Sequence, residues 1–406
     1  MLFDSHAHLN NADMTEEDRR RMVEQIEATR VVLDETARMG SDMATPAELR
    51  IEMEKAASPD VGQPDEAEIR SDGTAALRAD GSRPARLDCV MDIGFDPDSS
   101  EMAAAHAKQY PWCYAVVGCH PHDAKVMDEE QLDRIRSLAG EPKVCAIGEI
   151  GLDYHYDLIP RDVQREWFRR QIRLANELRM PICIHAREAD QEVMDILVEE
   201  GAFSDERRSW FPKRPDPSGF CQGRPAGWWE AGSEAAAAGS GGAAERTVCT
   251  KDDITARTKK VAAAARTSGV TGDADGTGVS GTADVTGVTG DARVLLHCFS
   301  GSAELGKEYV RLGATLSVAG PVTYKNNKKT VRVVEEIPID FLLVETDSPY
   351  LSPVPMRGKP NTPPNVEYTA RKVAEIKGLS FEEVAAKTRE NAMRFYGIAD
   401  TSAKTE

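Results

Sequence analysis

Nowhere in the 406 residues does an apolar run approach the roughly 20 residues that span a membrane. The first residues, Met1-Leu2-Phe3-Asp4-Ser5-His6, lack the basic and apolar regions of a secretory leader. A soluble, cytoplasmic chain with no membrane partner is therefore expected. Cys-x-x-Cys pairs are missing as well. Of the eight cysteines, Cys89, Cys113, Cys145, Cys183 and Cys298 lie in or beside apolar, strand-like runs, a placement suited to reduced, buried thiols. Positive charge is scarce: Lys+Arg 50 against Asp+Glu 68 leaves −18. That balance excludes a protein that wraps nucleic acid nonspecifically, and any polyanionic substrate must be met locally. No Gly-x-Ser-x-Gly elbow, nucleotide P-loop or cysteine with a nearby His/Asn pattern occurs, so the corresponding nucleophilic and nucleotide-dependent chemistries are excluded.

Two stretches differ in composition from the rest. Residues 41–86 hold four prolines and no aromatic residue, with ten acidic and six basic side chains and no clear apolar period. Residues 201–292 contain Glu234-Ala-Ala-Ala-Ala-Gly-Ser-Gly-Gly and a Val/Thr/Gly/Asp/Ala tract in which Val-Thr-Gly-Asp-Ala begins at Val270 and again at Val288. Nothing in that near-repeat could bury a core, so both stretches read as flexible, low-complexity insertions. Without them 268 residues remain, about the length of one barrel.

In this remainder, short β-branched runs alternate with helical patterns. Strands are expected at Met1–Asp4, Asp88–Gly94, Cys113–Gly118, Val144–Gly148, Pro181–His185, Val294–Cys298, Ala314–Ala319 and Phe341–Thr346. Helices fall between and after them, the last at Ser380–Phe395 behind a Ser380/Glu383 capping box. Eight strand–helix units in order favour an α/β fold of the (β/α)8 TIM-barrel kind, spanning residues 1–406 as one unit with two low-complexity insertions. Each insertion follows a helix and precedes a strand, which puts it on the face opposite a barrel's active site.

Polar residues punctuate the carboxyl ends of the strands: His6 and His8, His120 and His122, Glu149, His185, His297 and Asp347. Counting His155, seven of the eight histidines fall at such ends, and His106 alone sits on a helix. Strand alternation points His6 and His8 to one side, which makes them a metal clasp if that side is the interior, or a polar turn if it is not. Glu149 follows Val144-Cys-Ala-Ile-Gly, where a carboxylate bridges cations or pairs with Arg187. His185 and His297 each close an apolar strand, and Asp347 ends Phe-Leu-Leu-Val-Glu-Thr-Asp, where an ionised carboxylate needs compensation. Four histidines and two carboxylates exceed one tetrahedral ion and suit two divalent cations roughly 3.5–4 Å apart, with Mg²⁺, Mn²⁺ and Zn²⁺ all open.

Basic residues fall on the same face: Arg187, the run Lys325–Lys329, Arg357 and Lys359. They either receive phosphates or serve as solvated charge. Tyr154, Tyr324 and Tyr350 lie in loops of that face, to stack on an unpaired base or to wall a pocket.

Phe3-Asp-Ser-His-Ala-His-Leu-Asn10, Gly118-Cys-His-Pro-His122, Gly148-Glu-Ile-Gly-Leu-Asp-Tyr154, Pro181-Ile-Cys-Ile-His-Ala-Arg187, His297-Cys-Phe-Ser-Gly301, Glu345-Thr-Asp-Ser-Pro-Tyr-Leu351 and Lys359-Pro-Asn-Thr-Pro-Pro-Asn365 resemble the TatD family of metal-dependent deoxyribonucleases. The likeness spans nearly the whole remainder in order, and the two insertions have no counterpart in it. It implies a TIM-barrel hydrolase of the amidohydrolase-like kind, with His6, His8 and Asp347 on one ion, Glu149 bridging, and His185 and His297 on the other. It also implies 3′→5′ exonuclease action on DNA or RNA, often with Mg²⁺. Glu149 stands where related amidohydrolases carry a carbamylated lysine.

The expected activity is phosphodiester hydrolysis of nucleic acid, single-stranded DNA first, by a metal-activated water. Asp347 and Glu149 are the catalytic carboxylates, and His120, Arg187, His122 and Lys359 are the substrate contacts. No obligate protein partner is implied. An amidohydrolase or deacylase acting on a small amide or an aminoacyl-nucleic acid is the alternative within enzymes, and a nonenzymatic metal-binding scaffold the alternative outside them.

Overall fold

A computed structural model of the chain describes residues 1–11, 13–36, 84–215 and 288–399. Eight strands, β1 (Leu2–Ala7), β2 (Leu87–Ile93), β3 (Cys113–Val117), β4 (Val144–Asp153), β5 (Ile182–Arg187), β6 (Val294–Leu296), β7 (Ala314–Val318) and β8 (Leu342–Val344), pair in chain order, every pair parallel. Just beyond β8 the ring meets its beginning. The Asp347 N–H donates to the His6 carbonyl at 2.9 Å, and the His8 N–H donates to the Ser348 carbonyl at 2.8 Å. The eight-stranded barrel expected from the apolar rhythm is therefore the fold, and every strand overlaps its expected position.

Alternation along the strands divides the core in two. Phe3, Met91, Ile93, Val116, Ala146, Cys183, Leu295 and Leu343 fill the barrel interior. Their neighbours Leu2, Val90, Val117, Ile147, Ile182, Leu296 and Val344 pack outward beneath the helices. The described helices are α1 (Glu16–Thr36), α2 (Pro97–Gln109), α3 (Glu129–Ala139), α4 (Arg161–Glu177), α5 (Asp190–Glu199), α6 (Asp205–Ser209), α7 (Ala303–Leu312), α8 (Lys328–Glu336), α9 (Val366–Lys377) and α10 (Phe381–Tyr396). Caps written in the sequence start several of them. Asp96 and Ser99 form a capping box for α2, and Ser380 and Glu383 form the expected one for α10. Helix α10 closes the floor of the barrel: Tyr396 stacks on Phe3 with ring centroids 6.0 Å apart, and its hydroxyl donates to the Ser5 carbonyl at 3.0 Å. None of the described helices is long and apolar enough to cross a membrane.

The reading of residues 201–292 as uniformly low-complexity needs correction at both ends. Helix α6 and an antiparallel pair, Lys213–Pro215 with Val288–Gly290, lie inside that range. Arg207 and Arg214 are fully buried there. Arg207 donates to the carbonyls of Ala292 and Met180 and to Asn176 Oδ1, and Arg214 donates to the carbonyls of Ala314 and Val310. Composition treats an arginine as solvated; here each guanidinium satisfies backbone carbonyls at the amino ends of the strands, which a shorter side chain could not reach. Of residues 41–86 only 84–86 are described, and residues 216–287 also lie outside the described part. The described flanks of both stretches join at the amino ends of strands, opposite the histidine-rich end, as expected.

Candidate metal centre

Local irregularities in two strands aim the side chains of this site. In β1, Phe3 faces the interior while Ala7 packs outward, and the pairing with β2 shifts register between Asp4 and Ala7. The shift resets the alternation, so His6 and His8 both point inward. A second shift, between Ile147 and Ile150 in the β4–β5 pairing, does the same for Glu149. Beyond it Ile150 and Leu152 pack outward, leaving Glu149, Gly151 and Asp153 on the inner side. Gly151 sits at φ +151°, and a Cβ there would stand 1.9 Å from the His185 carbonyl oxygen. Only glycine lets the two strands approach so closely. In β5 and beyond β6 and β8, plain alternation from Cys183, Leu295 and Leu343 brings His185, His297, Glu345 and Asp347 inward.

These side chains meet. His6 Nε2 lies 3.3 Å from Glu149 Oε2 and 3.8 Å from Asp347 Oδ1, and His8 Nε2 lies 3.5 Å from the same Asp347 oxygen. On the other carboxylate oxygen of Glu149, His297 Nε2 stands at 2.7 Å, His185 Nδ1 at 2.9 Å and His120 Nε2 at 3.6 Å. Glu149 is thus ringed by imidazoles, and the alternative pairing with Arg187 is not what the structure forms. Donor atoms held about 2.1 Å from a common ion stand about 3.0–3.4 Å apart, and the separations here, 2.7 to 3.8 Å, bracket that range. Among the described residues, three groups converge closely enough to hold an ion: His6, His297 and Asp347; His6, His8 and Glu149; and His120, Glu149 and His185.

The outer nitrogens fit the same purpose. A histidine that ligates through one ring nitrogen is normally fixed by a hydrogen bond at the other. His8 Nδ1 donates to the Ile93 carbonyl at 2.9 Å, leaving the Nε2 lone pair turned to the carboxylates. His185 Nε2 faces Asp153 Oδ2 at 3.1 Å, His297 Nδ1 faces Glu345 Oε1 at 3.5 Å, and His6 Nδ1 faces Cys183 Sγ at 3.6 Å. His6 Nε2 is buried and makes no hydrogen bond, as a lone pair reserved for a cation would. His120 differs. Its Nδ1 accepts the backbone N–H of His122 at 3.1 Å, so in the neutral ring Nε2 carries the proton and is a donor, not a ligand.

Burial and charge set the protonation of the metal-free cluster. Burial lowers the pKa of His6, with the His297 ring stacked 3.9 Å away adding to the effect. Burial with His185 beside it holds His120 well below the usual range. At His8 burial is outweighed by the hydrogen bond to Asp347 and the charge of Glu149, lifting it to about 8. At His297 Glu149 and Glu345 likewise overcome burial and raise the pKa well above normal. The same contacts keep Glu149 and Asp347 ionised despite burial: His297 and His120 lower the first, His8 and His6 the second. Protons on imidazoles here occupy the electrostatic place of cations.

The cluster floors a cavity of about 790 Å³ lined by His8, His120, His122, Asp153, Tyr156, Arg187, Asn327 and Tyr350, among others. Of the expected substrate contacts, His120, His122 and Arg187 line it, and Lys359 is not among the lining residues. His155 pairs with Glu188 outside the cluster, and His106 pairs with Asp92 from helix α2. Tyr350 lines the cavity, Tyr324 packs beneath Arg357, and the Tyr154 hydroxyl is committed to Glu192 at 2.6 Å. Two carboxylates escaped sequence reasoning. Asp153 Oδ2 bonds His185 Nε2 and lies 3.0 Å from His122 Nε2, and Glu345 stands beside His297 while accepting from the Cys298 N–H at 2.6 Å. Spacing would have found Asp153, four residues beyond Glu149 on one strand face.

An eight-stranded parallel barrel whose carboxyl-end mouth gathers histidines and carboxylates in ligand spacing defines a metal-dependent hydrolase. The family described as TatD related DNase matches residues 3–207 and 280–397, and the chain belongs to that family. The uncharacterized metal-dependent hydrolase YabD of Bacillus subtilis is 36% identical over 313 residues, which cover 77% of this chain and 89% of YabD. A protein named 3'-5' ssDNA/RNA exonuclease TatD, from Cronobacter sakazakii, is 26% identical over 320 residues, covering 78% and 89% of the two chains. The crystal structure of YJJV, a TatD homolog from Escherichia coli, shares the fold with a TM-score of 0.52 at 18% identity, covering 77% of this chain and 88% of that one. The family match breaks between residues 207 and 280, inside the second low-complexity stretch.

Proposed function

We propose that the chain hydrolyses phosphodiester bonds of single-stranded nucleic acid, releasing nucleotides from the 3′ end. The observation that carries this reading is the pairing, in one cavity, of a ligand cluster with two donors suited to a phosphate: the Nε2–H of His120 and the guanidinium of Arg187. Among the described residues Arg187 forms no ion pair, in a chain of net charge −18. The relative named as an ssDNA/RNA exonuclease supports the same substrate class.

His6, His8 and Asp347 would hold one divalent cation, His185 and His297 the other, with Glu149 shared between them. When bound, such a pair lowers the pKa of a water toward about 7 and neutralises charge on the phosphate. Asp347, whose carboxylate stays ionised, orients the attacking water and takes its proton. His120 donates from Nε2 to a phosphate oxygen as negative charge grows there, and Arg187 balances the phosphate charge. Glu149, buried among imidazoles, keeps the two halves of the cluster at fixed separation.

End-labelled single-stranded DNA incubated with Mg²⁺, Mn²⁺ or Zn²⁺ tests the reading, beside a panel of amides. Mononucleotide release that disappears in Asp347→Asn and Glu149→Gln, both still folded by circular dichroism, is expected. Amide turnover without nucleotide release would transfer the site to carbonyl chemistry.

A further inference from the structure

Tyr156 was not among the residues singled out in the sequence, yet it is one of the most exposed large side chains among the described residues and lines the cavity. It is 54% exposed, and a free aromatic ring at the rim of a buried polar site calls for an occupant. Its position is fixed from both ends. The Tyr156 N–H donates to Asp153 Oδ1 at 3.0 Å, so the carboxylate that faces His185 also anchors this loop. The Arg187 guanidinium carbon lies 4.7 Å from the ring centroid. His122 approaches edge-on, its centroid 5.4 Å away at 81°, and His185 is a further 6.3 Å from His122. The ring is therefore less than about 12 Å from His185 of the ligand cluster, a gap that a stacked base, its sugar and the adjoining phosphate can bridge.

The opposite wall provides a contrast. Tyr350 follows β8, four strands from β4 around the barrel, and is 51% exposed, but its hydroxyl accepts a hydrogen bond from Asn11 Nδ2 at 2.7 Å. Tyr156 presents a ring with a cation beneath it. An aromatic ring backed by an arginine is a stacking platform for a base, since every base has a π face, and the same arginine can turn its N–H groups to the adjoining phosphate.

We infer that Tyr156, backed by Arg187, is the subsite on which the unpaired base of the terminal nucleotide stacks while its phosphate enters the ligand cluster. The inference rests on the phosphodiester reading and sharpens it. A base paired in a duplex cannot offer its face to Tyr156, so the subsite selects frayed or single-stranded ends. It reads the presence of a base, not its identity.

The test compares the wild-type chain, Tyr156→Ala and Tyr156→Phe, each loaded with the same divalent metal, on two 5′-labelled single strands. One has a normal 3′ nucleotide and the other an abasic 3′ residue. On the normal strand Tyr156→Ala should raise KM about 5- to 150-fold, the range given by loss of one base–aromatic stack, with kcat within about twofold. Tyr156→Phe keeps the ring and should match wild type. On the abasic strand all three should coincide. Equal losses on both strands, or no loss on either, overturn the stacking assignment while leaving phosphodiester hydrolysis standing. A wild-type chain inert on both strands overturns the phosphodiester reading, and the subsite with it.

Discussion

Replacing Asp153 with Asn exchanges one oxygen for an NH₂ group where three donors converge and the His122 imidazole stands close. Oδ1 accepts the N–H groups of His155 and Tyr156, each at 3.0 Å, and Oδ2 faces His185 Nε2 at 3.1 Å and His122 Nε2 at 3.0 Å. An asparagine keeps the first pair of bonds with its carbonyl, so the loop holds. Its amide nitrogen then points hydrogens at the His185 imidazole, whose Nε2 needs an acceptor. His185 can no longer keep its proton on Nε2, and the proton moves to Nδ1, the nitrogen 2.9 Å from Glu149 in the cluster. A protonated Nδ1 cannot ligate. Loss of such an outer partner lowers metal affinity about 10- to 100-fold, or about 1.4–2.8 kcal/mol. Calorimetric titration of the metal-free chain with Mn²⁺ should show two ions bound by wild type and the weaker step lost or displaced in Asp153→Asn. Asp88→Asn is the control. It removes an ion pair with Arg86 and Arg389 at the amino ends of the strands and should lower the melting temperature without changing the titration. Wild-type affinity and stoichiometry in Asp153→Asn would refute the orienting role.

Arg207→Ala strands three acceptors in the barrel floor. At about 1 kcal/mol or more each, it should destabilise by about 3–5 kcal/mol and lower the melting temperature by on the order of 10 °C; a calorimetric shift under about 3 °C contradicts that anchoring. Residues 216–287 can be replaced by a short turn, because Lys213–Pro215 already pairs with Val288–Gly290. Nuclease turnover should stay within about twofold, whereas removing 201–292 entirely deletes Arg207 and Arg214 and should yield insoluble protein on expression. Burial pushes the Cys89 thiol up to about 11 and Cys145 to about 12, and raises Cys113, Cys119, Cys183 and Cys298 well above their ordinary range. All six stay protonated at pH 8, so peptide mapping after native alkylation should find them largely unmodified; rapid labelling of Cys183 would contradict the packing.

The ligand candidates were legible because a parallel barrel puts its chemistry where apolar strands stop, and six of the eight stops here carry a histidine or a carboxylate. The sequence could not show how far β4 runs. Gly148 reads as its end, but the strand continues through a register shift to Asp153, so the carboxylate that braces His185 passed for loop. Glu345 was hidden by the opposite error, as an acid inside an apolar run whose partners, Ser317 and the Cys298 N–H, come from other strands. Tyr154 and Tyr156 differ by only two positions, yet one turns to Glu192 and the other to the cavity. Loop direction, unlike strand parity, is set by contacts remote in the chain. Arg207 and Arg214 were lost to composition, which cannot see carbonyls waiting in a barrel floor.

The seam between Ala7 and Ser348 ties the earliest strand of the barrel to the one made last. His6 and His8 leave the ribosome early, and the residue that completes their set arrives more than three hundred positions later. A nascent chain stopped before β8 carries every one of the eight imidazoles but lacks Asp347, and its β7 edge has unpaired backbone groups where β8 belongs. Assembly of the ligand cluster is thus withheld until β8 has been made, and a product interrupted before it lacks part of that cluster and carries an edge open to self-association.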